Sequence, residues 1–259
     1  MQYVFLSHDV DWRKQGPSSE HILARKDRFD LELFKKTPIE KMYYNFPEFI
    51  EIEEKFNTKS TFFFRTIYEN GSIFDYENEI KLLNKGGWEI GLHLDPSSVD
   101  SIEKIRKEKN TIEEISHSKI KGNRVHFLKT NEQLQEKLNK LDFVYDSSIK
   151  KSKNDYKEDI GYYIKNKIIE FPITVMDAYI FTHMKIKEEK IISFFNDVLN
   201  HARHSNSEFN IISLLWHDNV LKMKGGRMYP KILEFLASQE DVIFCNGIEL
   251  SKIIQTKFK

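Results

Sequence analysis

The chain has 259 residues, with 40 Lys+Arg against 40 Asp+Glu and a formal net charge of zero, which excludes bulk electrostatic attraction to nucleic acid and predicts no nucleic-acid partner. With 40% apolar and 13% aromatic residues it can build a sizeable core instead of remaining disordered, and its one cysteine, Cys245, rules out an internal disulfide framework. The opening MQYVFLSHDVDW has no basic n-region or cleavable apolar stretch, and no window approaches eighteen apolar residues, so the expectation is a cytoplasmic protein with no integral membrane segment.

Taken in chain order, short β-branched and aromatic runs alternate with stretches of helical period. A strand over residues 3–7 is followed by an amphipathic stretch over 46–56, a strand over 60–65, a helical stretch over 77–84 and a strand over 88–93. Strands over 121–126 and 143–146 flank a helical stretch at 131–141. Residues 150–167 are the most polar and irregular part and read as a loop or small excursion. A strand at 168–171, a helix at 188–203, a strand at 211–216, a helix at 229–238 and a strand at 242–244 complete the series. Strands separated by helices imply βαβ units and a parallel sheet. Seven or eight such units predict an α/β fold: residues 1–259 as a single domain, closed or nearly closed into a (β/α)7-8 barrel. An open doubly wound sheet has the same local grammar and remains the structural alternative.

Parallel β/α folds place their active sites at the carboxyl ends of the strands, and the titratable residues collect there. Asp9 and Asp11 follow the first strand, Arg65 ends the second, and His93 and Asp95 follow the third. Arg124 and His126 close the fourth, Asp146 the fifth, Thr174 and Asp177 follow the sixth, and His217 and Asp218 the seventh. Two carboxylates one residue apart share a face of an extended strand, and their repulsion is relieved when one binds a divalent metal and the other stays free as a base. The bland reading of Asp9-Val10-Asp11 is a turn or helix cap. His93 ends an apolar strand, placed as a neutral imidazole ligand or as a hydrogen-bonded core histidine. His217 can act as a general acid if its protonated form is stabilised. His8 alternates away from Asp9 into packing, His201 and His204 read as surface residues, and His117 and His183 have no motif context. The lysine runs at 104–109 and 150–157 read as solvated faces and Cys245 as a buried thiol. Trp12, Tyr179 and Trp216 lie near these strand ends and offer aromatic faces on which a ring could stack.

The order Ser7-His8-Asp9-Val10-Asp11, Ser60-Thr61-Phe62-Phe63-Phe64 and Gly87-Trp88-Glu89-Ile90-Gly91-Leu92-His93 resembles the polysaccharide deacetylases, carbohydrate esterase family four. Gly122-Asn123-Arg124, Tyr145-Asp146-Ser147-Ser148 and Leu215-Trp216-His217 extend the resemblance, which covers about residues 3 to 218. It implies a distorted (β/α) barrel and a hydrolase dependent on a divalent metal, zinc foremost. The implied reaction removes an N-acyl group, N-acetyl above all, from an amino sugar in polysaccharide or a precursor of it. By the same resemblance Asp9 is the general base, Asp11 and His93 are metal ligands, Arg124 holds the base carboxylate and His217 is the general acid. Asp177 is a candidate for orienting and charging that imidazole. The spaced DxD form is similar to a subset that includes peptidoglycan deacetylase-like proteins and sugar deformylases.

One departure matters: Ser97 stands where the family has a second histidine, and a hydroxyl is a poor zinc ligand. His126 is the favoured replacement, Asp95 or Ser97 are others, and a lost site would leave a catalytically degenerate carbohydrate-binding barrel. A further alternative is a deformylase or amidohydrolase acting on a lipid-linked sugar or small cyclic amide. The lack of an export signal favours a nucleotide-linked or lipid-linked precursor over a finished wall polymer.

Overall fold

The computed structural model describes residues 1–205 and 209–257. Its strands are β1 (Gln2–Val10), β2 (Thr61–Phe64), β3 (Ile67–Tyr68), β4 (Gly71–Ser72), β5 (Glu89–Leu94), β6 (Gly122–Val125), β7 (Tyr145–Asp146), β8 (Tyr163–Lys165), β9 (Ile168–Glu170), β10 (Val175–Met176), β11 (Asn210–Leu215) and β12 (Val242–Cys245). Its α-helices are α1 (Ser19–Leu23), α2 (Leu31–Lys36), α3 (Phe46–Lys55), α4 (Glu77–Gly86), α5 (Ile102–Ser116), α6 (Leu134–Lys140), α7 (Asp177–Thr182), α8 (Ile191–Arg203), α9 (Tyr229–Ala237) and α10 (Gly247–Lys257). All the strands expected from the sequence are present. β1 differs most, continuing through His8 to Val10 because that polar residue is fully satisfied where it is buried.

Ten strands form one sheet in the order β10-β11-β1-β2-β5-β6-β7-β9-β8, with β12 also on β1. Every pairing is parallel except β8 with β9. One side of β1 pairs with β11; the other is shared by β12 along Gln2–Phe5 and β2 along Ser7–Val10. The path ends on β10 at one side and on β9 and β8 at the other, yet only residues 171–174 join β9 to β10. The sheet must therefore curl until its two ends approach each other, which sets aside the open doubly wound alternative. Side contacts stitch the seam: the Gly161 N–H donates to the Ile211 carbonyl at 2.9 Å, and Thr174 Oγ1, which accepts from the Ser213 N–H at 3.0 Å beside the β10–β11 ladder, donates to the Asp159 carbonyl at 2.9 Å. The stretch at 150–167 thus holds β8 and meets β11 at Gly161, the small excursion that the sequence offered beside a loop.

Strand alternation sorts the side chains into two layers. Val4, Leu6, Val10, Phe62, Phe64, Ile90 and Leu92 join the large core shared with the surrounding helices. Phe5, Phe63, Tyr145, Ile169, Phe171 and Ile211 pack together with Cys245 and with Leu250 and Ile254 of α10. This second cluster fills the barrel interior at the amino ends of the strands, leaving the carboxyl ends to polar residues. Cys245 is buried, as expected, and burial raises its thiol pKa to about 12. Gly91 permits the inner layer, since a Cβ there would lie 2.4 Å from the ring of Phe63.

Two lysines read as solvated are structural instead. Lys109 on α5 tucks its stem into the core, donates to the Leu141 carbonyl and lies 4.9 Å over the ring of Phe143. Lys150 is ion-paired with Asp159 and donates to the Thr174 carbonyl at 3.2 Å, its side chain 4% exposed. Lys104, Lys107, Lys151, Lys153 and Lys157 are exposed, as expected. No described helix is long and apolar enough to cross a membrane.

Candidate active site

The inward alternation of β1 runs Phe5, Ser7, Asp9, so an apolar floor gives way to polar groups at the top of the same strand. In β5 the inward series Gly91, His93 sits in register with Phe63 and Arg124 of the strands on either side. Register alone therefore puts His93 beside Arg124, and the His93 Nδ1–H faces the Arg124 carbonyl at 3.0 Å. A carbonyl can only accept, so the hydrogen is on Nδ1 and the Nε2 lone pair points into the barrel mouth.

That lone pair meets two others. His93 Nε2 lies 3.1 Å from Asp11 Oδ1, His126 Nδ1 lies 3.1 Å from the same oxygen, and the two imidazole nitrogens are 3.1 Å apart. Three electron-pair donors this close repel one another unless a proton or a metal ion is shared among them. Donors about 2.0–2.1 Å from a tetrahedral ion are separated by roughly 3.3 Å, close to the spacing here, and two imidazoles with one carboxylate suit zinc with a position left open. The residues present therefore fit a divalent ion. Burial acts to raise the Asp11 pKa, but the His126 and His93 imidazoles against it and the charge of His217 overcome it and hold the carboxyl well below its usual range. Burial lowers the His126 pKa, favouring the neutral imidazole that a ligand must be.

On the His93 side stands Asp9, whose Oδ2 is 3.7 Å from His93 Nε2. Its Oδ1 accepts from Arg124 Nη1 at 2.8 Å. Arg124 is fully buried, and its fork is held by Ser7 Oγ at 3.0 Å, the Ser147 carbonyl at 2.9 Å and Ser147 Oγ at 2.8 Å, with the guanidinium 4.4 Å over Phe63. Burial pushes the Asp9 pKa up, but Arg124 above all, then His93 and His217, leave it below the ordinary value. On the other side, His217 Nδ1 donates to Asp177 Oδ1 at 2.7 Å and the His217 backbone N–H donates to Asp177 Oδ2 at 2.8 Å. His217 Nε2 lies 3.6 Å from Asp11 Oδ2. Burial lowers the His217 pKa, but Asp177, then Asp11 and Asp9, more than reverse this and bring it to about 10.

The structure thus brings together Asp9, Asp11, His93, Arg124, His126, Asp177 and His217. Of the alternatives for the third donor, Asp95 is turned away, paired with Arg65 at 3.5 Å and accepting from the Ser97 N–H at 2.9 Å. Ser97 sits in the short turn Pro96–Ser98 and is not among the converging donors. His8 packs outward, its Nδ1 2.6 Å from the Trp216 carbonyl and its Nε2 2.7 Å from Glu53 Oε1. Trp216, expected near a sugar, is fully buried with its indole N–H donating to the Gly226 carbonyl, so it stacks on protein instead. Trp12 and Tyr179 do line clefts at the site. His117, His183 and His204 are exposed and His201 half-buried, away from the converging groups.

Three features of the site have roles that the sequence reading did not assign. Ser147 anchors Arg124, and a buried Asp146–Glu170 pair holds the 147–149 turn through the Ser147, Ser148 and Ile149 N–H groups. Phe127, 71% exposed and stacked on His126 with ring centroids 3.7 Å apart, has φ +58, followed by Leu128 at φ +56. Two successive left-handed non-glycine residues are strained backbone beside a candidate ligand. Clefts of about 470, 400 and 510 Å³ all have Asp11 in their walls, and the 510 Å³ cleft is lined by the whole donor triad.

No family model matches the sequence, and none of the curated proteins matches it. Solved structures do. A probable polysaccharide deacetylase from Pseudomonas aeruginosa PAO1 aligns with TM-score 0.71 at 11% identity, over 99% of this chain and 91% of that one. PuuE allantoinase aligns with TM-score 0.69 at 13% identity, over 98% of this chain and 90% of that one. A CE4 family pseudoenzyme from Bacillus anthracis aligns with TM-score 0.55 at 12% identity, over 97% of this chain and 66% of that one. The fold is the polysaccharide deacetylase-type (β/α) barrel that the motif order implied.

Proposed function

We propose that the chain is a metal-dependent hydrolase that removes an N-acyl group, N-acetyl first, from an amino sugar in a polysaccharide or a precursor of one, with residues 1–259 acting as one catalytic domain. The observation that carries this reading is the donor triad Asp11, His93 and His126 flanked by Asp9 on Arg124 and by His217 on Asp177. A divalent ion held by that triad, zinc on its donor set, would supply Lewis acidity toward the acyl carbonyl and acidify a water.

The chain's own groups divide the proton work. Arg124 engages one oxygen of Asp9 and keeps the carboxylate ionised, which leaves Oδ2 to accept a proton from the attacking water. Asp177 takes both the His217 backbone N–H and the Nδ1 hydrogen, so the remaining imidazolium hydrogen is on Nε2, facing the triad. That proton passes to the departing amine as the C–N bond breaks. One water is consumed and a carboxylate and an amine are released.

The fold shared with PuuE allantoinase favours one second reading, a cyclic amide as the substrate of the same groups. Ser97 motivated the alternative of a degenerate barrel, and His126 beside Asp11 and His93 supports the hydrolase over it. The test is metal analysis together with acetate or formate release from a panel of N-acyl amino sugars, with allantoin alongside. A folded protein that binds no divalent metal and leaves the whole panel intact sinks the reading; ring opening of allantoin alone replaces it with the second.

A further inference from the structure

The connection from β1 to α3 folds into a lobe of its own. Ile22, Phe29, Met42 and Tyr43 pack with Met223 of the loop that follows β11, and Phe29 bridges Met223 in antiparallel fashion. The lobe forms one wall of the 470 Å³ cleft that leads from Asp11 and His217. Arg25 and Arg28 line that wall, and Lys224 lines the cleft from the partner loop.

These cations have no acids of their own. Among the described residues neither Arg25 nor Arg28 has a carboxylate within 4.0 Å; Arg25 reaches only the His21 carbonyl at 3.4 Å, and Lys224 the Asp27 carbonyl at 3.0 Å. Arg65, Arg124, Arg203 and Arg227, by contrast, are each ion-paired. The carboxylates lining the cleft are Asp11 and Asp177, both engaged by histidines. In a chain balanced at 40 against 40, the cleft is a local positive field beside a catalytic-type centre. His21, on the same wall, registers it: burial and then Arg25 and Arg28 push its pKa down. Unpaired guanidinium forks suit an oxyanion, which they can grip with two parallel hydrogen bonds.

We propose that this cleft selects an anionic substrate: the acylated amino sugar carries a phosphate or a carboxylate, which Arg25 and Arg28 bind while the acyl group lies at Asp11. The proposal rests on the deacylase reading for the acyl end, and its test needs no turnover. The zinc-loaded protein and an Arg25→Gln/Arg28→Gln variant are titrated calorimetrically with N-acetylglucosamine, N-acetylglucosamine 1-phosphate, UDP-N-acetylglucosamine and N-acetylmuramic acid. Wild type should bind a phosphorylated or a carboxylated ligand at least about tenfold tighter than the neutral sugar, with the preference weakening as salt rises. In the variant the preference should fall to about twofold or less. The ligand preferred identifies phosphate or carboxylate as the source of the charge. Equal affinity for neutral and anionic ligands, or no binding of any of them, overturns the proposal. So does a preference that survives the double substitution, since it then belongs to the metal or to Lys224 and not to the two arginines. A protein that binds the anions through these arginines but releases no acyl group overturns the hydrolase reading alone.

Discussion

Replacing Arg124 by methionine removes a fully buried cation that makes four hydrogen bonds, one of them to Asp9 at 2.8 Å. Methionine roughly conserves the volume, so the loss is of charge and hydrogen bonds: Asp9 remains buried without its guanidinium, and Ser7 and Ser147 lose a donor. Breaking one side of a buried ion pair costs about 3–5 kcal/mol. If Asp9 is first made asparagine, no charge is left to strand and the same Arg124→Met change costs less. Unit charges some 4 Å apart interact by about 4 kcal/mol at an effective dielectric constant of about 20, so a double-mutant cycle should give a coupling of about 2–4 kcal/mol. Urea unfolding of the four metal-free proteins, with the slope checked for constancy, measures it. Additivity to within about 0.5 kcal/mol would mean that the pair does not hold Asp9 ionised, and the argument for Asp9 as a base would fall.

Asp9→Asn should abolish acyl release while metal content stays at the wild-type level, whereas Asp11→Asn and His93→Ala should lose the metal, read by elemental analysis after gel filtration. Full metal and full rate in Asp11→Asn would refute the assignment. Asp177→Asn should leave metal content unchanged and lower kcat about 10²–10⁴-fold, because it removes the group that charges and orients His217; an unchanged kcat would exclude His217 as the acid. Glu89, capping the Ile248 N–H of α10 at 2.9 Å, is raised by burial to about 7. Its folded pKa exceeds its unfolded one, so the folded state binds the extra proton, and this contribution is full below about pH 4.5 and lost as pH rises to 7. Glu89→Gln should flatten the stability-against-pH curve in that window, and an unaltered slope would refute the shift.

Much of the fold is readable because the strand runs are buried on both faces and so stay largely apolar, as in Ile211-Ile212-Ser213-Leu214-Leu215, where one small hydroxyl interrupts the run. The seam was not: β10 is two residues long, and closure depends on Gly161 meeting β11 and on Thr174 holding the Asp159 carbonyl. Asp9, Asp11, His93, Arg124 and His217 could be picked out because each follows a clear strand, and Asp177 because it follows the sixth strand by a few residues. The third donor was ambiguous, since whether Asp95 or His126 turns inward is decided by the Arg65 and Ser97 contacts that draw Asp95 away. Lys109 and Lys150 misled because a lysine in a charged run looks solvated whether or not a carbonyl or an acid awaits it. Arg25 and Arg28 lie in a stretch with no periodicity, and only the folded lobe gives them a cleft to line.

The most direct test of the account is zinc binding to wild type and to His126→Ala, measured by competition with a chromogenic chelator. The account predicts one ion per wild-type chain and an affinity at least about 100-fold weaker in the variant, because a bidentate remnant of Asp11 and His93 cannot hold zinc as three donors do. Equal affinity in the two proteins, or no stoichiometric binding by wild type, would contradict it.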